Sequence, residues 1–274
     1  MNYECIISGL KFPEGPVFDF EGNLWFVEIE GGNLSRWDGK SLIRVDVNGT
    51  PSGATIDRKG NIWFCDSGRG EIRMFSPKTE IFQTVCDSTT CGDRLKRPND
   101  LIFDGEGNLL FSDHADGREE ALSTICVLPK GTKKAKIISA DKYFTNGLAL
   151  KADARTLIFA ETYRQQLWIA EWDSRNLELL CERPFAKAGN GPWGPDGIAF
   201  DEDENLYATI FNESKLNVYN KEGQISGIIP CPGSRPTSCV FDPSGKSGLV
   251  VTEAEQGQIL SYKIKNIGLP IYYR

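Results

Sequence analysis

A short motif recurs six times along this chain of 274 residues. The copies read FPEGPVFD, TPSGATID, RPNDLIFD, FTNGLALK, GPDGIAFD and RPTSCVFD. Successive copies are 38, 47, 47, 50 and 41 residues apart. A repeat of about 40 to 50 residues is typical of propellers and solenoids.

Each copy has the pattern of a small antiparallel sheet. An apolar run such as 101–103 is followed by a tight polar turn, a second apolar run such as 109–111, a third run of alternating polarity and a weaker fourth. No segment keeps a helical period for three turns, and no polar capping repeats of a solenoid are apparent. The sequence therefore predicts an all-β six-bladed β-propeller, with four antiparallel strands per blade, in a single domain over residues 1–274.

The sixth copy ends after its third strand, near Lys263, so its blade needs one more strand. The segment from Tyr3 to Ser8 is predicted to supply that strand and to close the ring, which would remove the exposed sheet edges. The tail from Ile267 to Tyr273 is the alternative.

The third position of the motif changes from copy to copy, although the surrounding pattern repeats. Its occupants are Glu14, Ser52, Asn99, Asn146, Asp196 and Thr237, all of which carry an oxygen acceptor. In a propeller the residues that lead into the innermost strands surround the mouth of a central channel, so these six side chains are predicted to converge. Hard cations choose such oxygen ligands, and two carboxylates neutralise a divalent ion. The alternative is that they are ordinary turn residues.

Composition and charge narrow the function classes. A net charge of −7 without a long basic run argues against nucleic acid and anionic membranes as partners. The N-terminus lacks a signal-peptide pattern, and no apolar stretch is long enough to span a membrane, so a cytoplasmic monomer or weak dimer is expected. Eight cysteines without a CxxC pair, with a single histidine, argue against a Cys/His zinc site. They are predicted to be reduced thiols, with a Cys86–Cys91 pair left open.

The segments FPEGPVFD, RPNDLIFD, TNGLAL and GPDGIAFD occur in the order found in a known family. In these motifs the chain resembles the gluconolactonase / senescence marker protein (regucalcin) / luciferin-regenerating enzyme family over essentially its whole length. The resemblance implies a six-bladed propeller with one divalent metal ion in the channel. Ca²⁺ is the expected ion, with Mg²⁺, Mn²⁺ and Zn²⁺ as alternatives, and a small-molecule lactone, such as a sugar lactone, is the expected substrate.

The same resemblance implies roles for individual residues. Glu14, Asn146 and Asp196 are the expected metal ligands, and Asp196 is the expected base, with Glu14 as the alternative. Asn99 is expected on the substrate side of the metal, and Arg97 is expected to contact the substrate.

Three aromatic residues and the single histidine are further candidates near the channel mouth. Trp193 precedes Asp196 and is a candidate wall of the substrate pocket, with Tyr163 and Phe211 in similar positions on neighbouring blades; packing in the core or at the rim is the alternative for all three. His114 follows a second strand, and it is a candidate substrate contact or base, with an ordinary loop histidine as the alternative.

The expected reaction is opening of the lactone ring. The cation would polarise the carbonyl, and Asp196 or Glu14 would take a proton from water activated at the metal. Two alternatives stay open: an organophosphate-cleaving hydrolase that uses the same site, and a non-enzymatic propeller that binds a metal.

Acidic residues follow the second strand in five of the six copies. They are Glu28, Asp66, Asp113, Glu161 and Glu253. These side chains are predicted mainly to accept hydrogen bonds from loop backbone N–H groups, with Glu28 and Asp113 as the candidates for a role in the site.

Overall fold

A computed structural model describes residues 2–269, which form 25 β-strands and one short 3₁₀-helix, Thr162–Arg164. The chain begins with β1 Tyr3–Ile7. Blade 1 contains β2 Pro13–Phe18, β3 Leu24–Glu28, β4 Asn33–Trp37 and β5 Leu42–Asp46. Blade 2 contains β6 Pro51–Ile56, β7 Ile62–Asp66, β8 Glu71–Ser76 and β9 Ile81–Cys86. Blade 3 contains β11 Pro98–Phe103, β12 Leu109–Asp113, β13 Ser123–Leu128 and β14 Lys134–Lys142, with the two-residue strand β10 Ser88–Thr89 at its outer edge.

The remaining three blades follow the same order. Blade 4 contains β15 Thr145–Leu150, β16 Thr156–Glu161, β17 Gln166–Asp173 and β18 Glu178–Lys187. Blade 5 contains β19 Pro195–Phe200, β20 Leu206–Ile210, β21 Lys215–Tyr219 and β22 Ile225–Pro230. Blade 6 contains β23 Pro236–Phe241, β24 Leu249–Glu253 and β25 Gln258–Tyr262, and β1 is its outermost strand. Six antiparallel sheets of this kind confirm the predicted propeller.

The N-terminal strand closes the ring, as the sequence predicts. Strand β1 pairs antiparallel with β25, with Tyr3 opposite Tyr262. The alternative strand donor, Ile267 to Tyr273, lies partly outside the described residues. Its described part runs beside blade 5, where Leu269 donates a backbone hydrogen bond to Phe200. Within residues 2–269, β1 therefore completes blade 6, and residues 267–269 lie beside blade 5.

The apolar core lies between the blades. Six clusters of buried residues each join one blade to the next around the ring. In four blades the second strand contributes a fully buried phenylalanine at the same position: Phe26, Phe64, Phe111 and Phe159. Each ring packs against the preceding blade. Blades therefore stabilise one another mainly through burial of apolar side chains, since a single four-stranded sheet exposes both faces.

The turn between the first and second strands is built around the aspartate at position eight of the motif. Asp57 accepts hydrogen bonds from the backbone N–H groups of Lys59 and Asn61, from the Asn61 side chain and from the Trp63 indole, at 2.8–2.9 Å. Asp19 makes the equivalent set of bonds in blade 1. The repeated aspartate is therefore a turn-forming residue.

The six first strands surround the central channel. They contact one another in the cyclic order β2, β6, β11, β15, β19, β23 and back to β2. At position four of the motif, neighbouring first strands approach too closely for a side chain. A Cβ atom on Gly15, for example, would lie 2.5 Å from the Ala54 nitrogen. A cavity of about 1250 Å³ runs from this level to the turns at the far end. The third-position residues thus lie at the opposite, near end of the channel.

Two further predictions concern the cysteines and membrane spans. All eight cysteines fall within residues 2–269 and are free thiols; Cys86 is buried and Cys91 is exposed. Over those residues, no helix has the length and apolar character needed to cross a membrane.

Candidate metal centre

Three buried polar side chains surround the near end of the channel. Glu14 on β2, Asn146 on β15 and Asp196 on β19 have only 7%, 4% and 8% of their surface exposed. Each occupies the second residue of an innermost strand, so the common register of the blades brings the three to one level. These are the three residues that the family resemblance implies as metal ligands.

The electrostatics of Glu14 and Asp196 favour a bound cation. Burial raises the pKa of Glu14 well above its usual value, and the nearby Asp196 and Asp100 carboxyls raise it further. Burial also raises the pKa of Asp196 well above its usual value, with Asp100 adding to the effect and a hydrogen bond from Asn146 opposing it. Within residues 2–269, no ion pair involves Glu14 or Asp196. A divalent cation fits this pair, because it would supply the missing positive charge.

The amide of Asn146 is oriented by a neighbouring threonine. Its Nδ2 group donates to Thr162 Oγ1 at 3.2 Å, and that hydroxyl donates to the Pro195 carbonyl at 2.7 Å. The amide nitrogen faces Thr162, so the Asn146 carbonyl oxygen is the atom left for a cation. The same chain of bonds joins blade 4 to the segment that leads into Asp196.

Asp100 is a half-buried acidic residue near the site that the sequence reasoning missed. Burial raises its pKa to about 6, although its two oxygens accept backbone hydrogen bonds from Leu101 at 2.9 Å and Leu148 at 3.0 Å. A Cβ atom on Gly53 would lie 2.5 Å from its Oδ1 atom, so the neighbouring blade makes room for this carboxyl. Because both oxygens already accept backbone bonds, Asp100 shapes the field around the site without replacing a ligand. The sequence does carry a signal for Asp100, because this residue occupies position four of its motif copy, where four of the six copies have glycine.

The candidate metal ligands include an amide oxygen as well as carboxylate oxygens. In the described part of the chain, no three His, Cys, Asp or Glu side chains are grouped so that they could hold a metal. The candidate site combines two carboxylates with the Asn146 amide, and oxygen donors of this kind suit hard cations.

Ser52 and Thr237 use their hydroxyls to join neighbouring blades. Ser52 Oγ donates to the carbonyl of Asn99 at 2.8 Å, and Thr237 Oγ1 donates to the carbonyl of Pro13 at 2.7 Å. Both hydroxyls are bound to the backbone beside a site residue. They therefore support the positions of Asn99 and Glu14, and they do not complete a symmetric ring of six ligands.

The five acids after the second strands hold the segments that lead into the first strands. Asp113 accepts hydrogen bonds from the backbone N–H groups of Lys96 and Arg97, both at 2.8 Å. Glu28, Asp66, Glu161 and Glu253 do the same for Lys11, Thr50, Tyr143 and Arg235, respectively. The predicted backbone role is confirmed. Asp113 also positions the segment that carries Arg97, which is exposed, and Asn99, which is half-buried.

His114 is held in one tautomer beside the mouth. Its Nδ1 atom accepts a hydrogen bond from the Asp116 backbone N–H at 3.0 Å, so the ring proton is on Nε2. The imidazole is 6% exposed and stacks on Phe144, with ring centroids 4.1 Å apart. Burial lowers its pKa to about 4, and the Arg97 and Arg118 charges contribute. A neutral Nε2–H group is a donor, which argues against His114 as the base.

An arc of aromatic rings borders the near end of the channel. Successive centroids lie 4.1 to 6.4 Å apart in the order His114, Phe144, Tyr163, Trp193, Phe211 and Phe12. Trp193 packs between Tyr163 and Phe211, whereas the contributions of Phe144 and Phe12 were not anticipated. Both precede the first strands that carry Asn146 and Glu14. Rings of this kind give the mouth an apolar side.

Comparison with known proteins gives the family. A sequence profile described as the SMP-30/Gluconolactonase/LRE-like region matches residues 12–255. The diisopropyl-fluorophosphatase of Loligo vulgaris is 28% identical over an alignment of 293 positions, which covers 94% of this chain and 91% of that protein. The lactonase drp35 of Staphylococcus haemolyticus is 25% identical over 266 residues, which cover 89% of this chain and 79% of that protein.

The fold is shared with solved structures. A calcium-binding protein, regucalcin, from Agrobacterium tumefaciens superposes with a TM-score of 0.82 at 19% identity, over 96% of this chain and 94% of that chain. Identity this low shows a common fold alone, whereas the profile match extends from the first motif copy into blade 6. The chain therefore belongs to the SMP-30/gluconolactonase/LRE-like family.

Proposed function

We propose that this protein is a divalent-metal-dependent hydrolase that opens a lactone ring, with sugar lactones as the first substrate class to test. The observation that carries the proposal is the pair of buried carboxylates, Glu14 and Asp196, which lies at the channel mouth without a cationic partner among the described residues. Membership of a family that includes lactonases supports the reaction type.

Glu14, Asn146 and Asp196 would hold the ion. When bound, a divalent cation would polarise the lactone carbonyl and stabilise the negative charge that develops on its oxygen. Oxygen donors favour Ca²⁺, and the structural relative from Agrobacterium tumefaciens is named as a calcium-binding protein. Mg²⁺, Mn²⁺ and Zn²⁺ remain alternatives for the experiment below.

Asp196 is the proposed base. Glu14 and Asp196 both have raised pKa values, but one Glu14 oxygen already accepts a hydrogen bond from the Gly15 backbone, so Asp196 is the carboxylate proposed to accept and return a proton. The water oxygen bonds to the carbonyl carbon while Asp196 takes a proton. The ring C–O bond then breaks, and that proton passes to the released alkoxide oxygen. The product is a hydroxy acid, which loses its carboxyl proton to solvent.

The mouth supplies groups that orient the substrate. Arg97 and Asn99 lie on the segment held by Asp113, so their backbone is fixed before a substrate arrives. His114 offers a neutral Nε2–H donor, and Trp193 offers an aromatic face on which a lactone ring can stack. These residues bind and orient; none of them is assigned the transferred proton.

An organophosphate-cleaving hydrolase is the second candidate. The favouring observation is the 28% identity to diisopropyl-fluorophosphatase over nearly the whole of both chains. The same polarising site serves a P=O group as well as a C=O group. A propeller that binds a metal without turnover is the third possibility.

Hydrolysis rates with and without metal separate these functions. The protein is treated with a chelator and then assayed with Ca²⁺, Mg²⁺, Mn²⁺ or Zn²⁺ on glucono-1,5-lactone, simple lactones and diisopropyl fluorophosphate. Metal-restored lactone hydrolysis supports the proposal, and faster hydrolysis of the P–F bond of diisopropyl fluorophosphate supports the second candidate. Stoichiometric metal binding with no turnover on any substrate contradicts both.

Asn146→Ala tests the site within the same assay. Loss of bound metal and of activity is expected, because the amide oxygen is one of three proposed ligands. Asn220→Ala is the matched control, since it removes an amide that accepts turn hydrogen bonds at the outer rim of blade 5. Full activity in Asn146→Ala contradicts the proposed metal centre.

A further inference from the structure

Blade 3 has a longer connection between its second and third strands than every other blade. Four residues separate these strands in blades 1, 2, 4, 5 and 6, whereas nine residues, 114–122, separate β12 from β13. The extra residues lie at the near end of the channel, because second strands end there. The other blades pass the same point with a tight turn, so the insertion is a local addition to the mouth.

Arg118 lies in the middle of this insertion and reaches two other blades. Its guanidinium carbon is 5.7 Å from the ring centroids of Phe144 and Tyr163 and 5.9 Å from that of Trp193. Three aromatic rings at nearly equal distance hold the cation over the arc through cation–π attraction. Arg118 forms an ion pair with Asp116 of the same loop, at 3.3 Å, and both side chains are about half exposed. The planar guanidinium therefore keeps donors for an additional partner.

A second guanidinium, that of Arg97, belongs to the segment beside His114, because the backbone N–H of His114 donates a hydrogen bond to the Arg97 carbonyl at 3.1 Å. The charges of Arg97 and Arg118 both lower the pKa of the imidazole. Arg97 is exposed and forms no ion pair within the described part of the chain. The insertion also carries the exposed Glu119 and Glu120, so an anion would be recognised by hydrogen bonds from the guanidinium groups and not by the net charge of the mouth. Each guanidinium can bind a carboxylate or a phosphate group through two parallel hydrogen bonds.

We propose that Arg118 is a specificity-determining residue that, together with Arg97, binds an oxyanion substituent of the substrate, so that the preferred substrate is a lactone carrying a carboxylate or phosphate group. This inference rests on the proposed lactone hydrolysis and narrows it to a charged substrate class. The metal centre would receive the lactone carbonyl, the arc would cover one face of the ring, and the two arginines would hold the anionic substituent.

A purely structural role for Arg118 is the competing explanation. In that case the guanidinium only fastens the insertion to Phe144, Tyr163 and Trp193, and its loss would affect all substrates alike. The two explanations differ in one measurable respect, which is whether the effect of removing the charge depends on the charge of the substrate.

The experiment uses matched lactones with and without an anion. γ-Butyrolactone is compared with its 5-carboxylate, and glucono-1,5-lactone is compared with its 6-phosphate, in the presence of the activating metal. In the wild-type protein we expect kcat/KM to be at least about 10-fold higher for one charged lactone than for its neutral partner. A preference within the butyrolactone pair identifies carboxylate as the recognised substituent, and a preference within the gluconolactone pair identifies phosphate. Equal or lower values for both charged lactones overturn the proposal.

Variants of Arg118 distinguish recognition of the anionic substituent from a purely structural attachment of the insertion to the aromatic arc. Arg118→Gln is expected to raise KM for the preferred charged lactone about 10- to 100-fold, with less than a twofold change for the neutral partner. Arg118→Lys restores the charge without the planar fork and is expected to recover part of the loss. Arg175→Gln, on an exposed turn at the far end of blade 4, is the control. Equal losses on charged and neutral lactones in Arg118→Gln overturn the proposal in favour of fastening.

A binding measurement keeps this test independent of turnover. The hydroxy acids formed from the butyrolactone pair are 2-hydroxyglutarate and 4-hydroxybutyrate, and both are titrated calorimetrically into wild type and Arg118→Gln. Tighter binding of the dicarboxylate in wild type, lost in Arg118→Gln, upholds the recognition role even if no lactone is hydrolysed. Lactone hydrolysis without any preference for a charged substrate or product upholds the proposed function and refutes this inference.

Discussion

The two ends of the central channel are built from the same six motif copies, yet they differ in what the copies share. At the far end, position eight is aspartate in five copies, and it accepts the same turn hydrogen bonds in blade after blade. At the near end, position three is occupied by five different residue types, two of which are carboxylates. The far end repeats because each turn has the same geometry to stabilise.

The difference assigns separate physical tasks to the two ends. A repeated residue that satisfies turn N–H groups contributes to stability wherever it occurs. The near-end residues cannot be assigned in that way, because Glu14 and Asp196 are buried with raised pKa values and without a cationic partner in the described chain. Deviations from the repeat therefore mark the candidate site, and agreement with it marks the scaffold. The following predictions test this division.

The largest expected effect is on activity at the near end. Asp196→Asn removes the proposed base and one charge of the metal site, so kcat is expected to fall about 100- to 10,000-fold, and metal affinity is expected to fall with it. The metal-free variant should unfold at the same or a higher denaturant concentration, because a buried carboxyl with a raised pKa is removed. Turnover assays and urea titrations measure both. Wild-type kcat in Asp196→Asn contradicts the assignment.

The opposite outcome is expected at the far end. Asp57→Ala deletes four hydrogen bonds to Lys59, Asn61 and Trp63, so the free energy of unfolding should fall by about 2–4 kcal/mol. Activity at a temperature where the variant is folded should stay within twofold of wild type. Urea unfolding and the lactone assay measure the two quantities. A variant that loses activity while keeping its stability would break the division between the ends.

The pH dependence of stability should carry a contribution from His114. Its folded pKa, about 4, lies below the ordinary value of 6.5, so the unfolded chain binds more protons between these values. The contribution is fully present above pH 6.5 and is lost as pH falls towards 4, with an upper limit of about 3 kcal/mol. His114→Asn keeps an acceptor for the Asp116 N–H but does not titrate. The stability difference between wild type and His114→Asn, measured in urea at pH 7 and 4.5, should shrink on acidification; a constant difference counts against the burial argument.

The smallest expected effect concerns a hydroxyl that joins two blades. Thr237→Val keeps the shape of the side chain and removes its donated bond to Pro13 and its contact with Thr252. The free energy of unfolding should fall by about 1–2 kcal/mol. Since Pro13 precedes Glu14, metal affinity should weaken by less than about 10-fold. Calorimetric metal titration would show a loss comparable to that of Asn146→Ala if Thr237 were itself a ligand.

Much of this structure could be predicted because its determinants are local or periodic. Alternating apolar runs gave the strands, the motif spacing gave the number of blades, and the incomplete sixth copy pointed to closure by β1, which pairs with β25. The acids after the second strands were also predictable, because an acceptor at the end of a strand meets backbone donors of the adjoining loop segments, here 16 to 18 residues away. The roles of Glu14, Asn146 and Asp196 came from family resemblance and stay predictions until the metal is measured.

What the sequence by itself determined was the repeat, and with it the propeller and the level at which the third-position residues lie. Only the tertiary structure decided how residues from different blades combine. Asp100 meets Leu148 across a blade boundary, and Arg118 crosses from blade 3 to Tyr163 and Trp193. The physical reason is distance: strand pattern reflects neighbours along the chain, whereas charge, burial and ring contacts depend on side chains brought together when the ring closes.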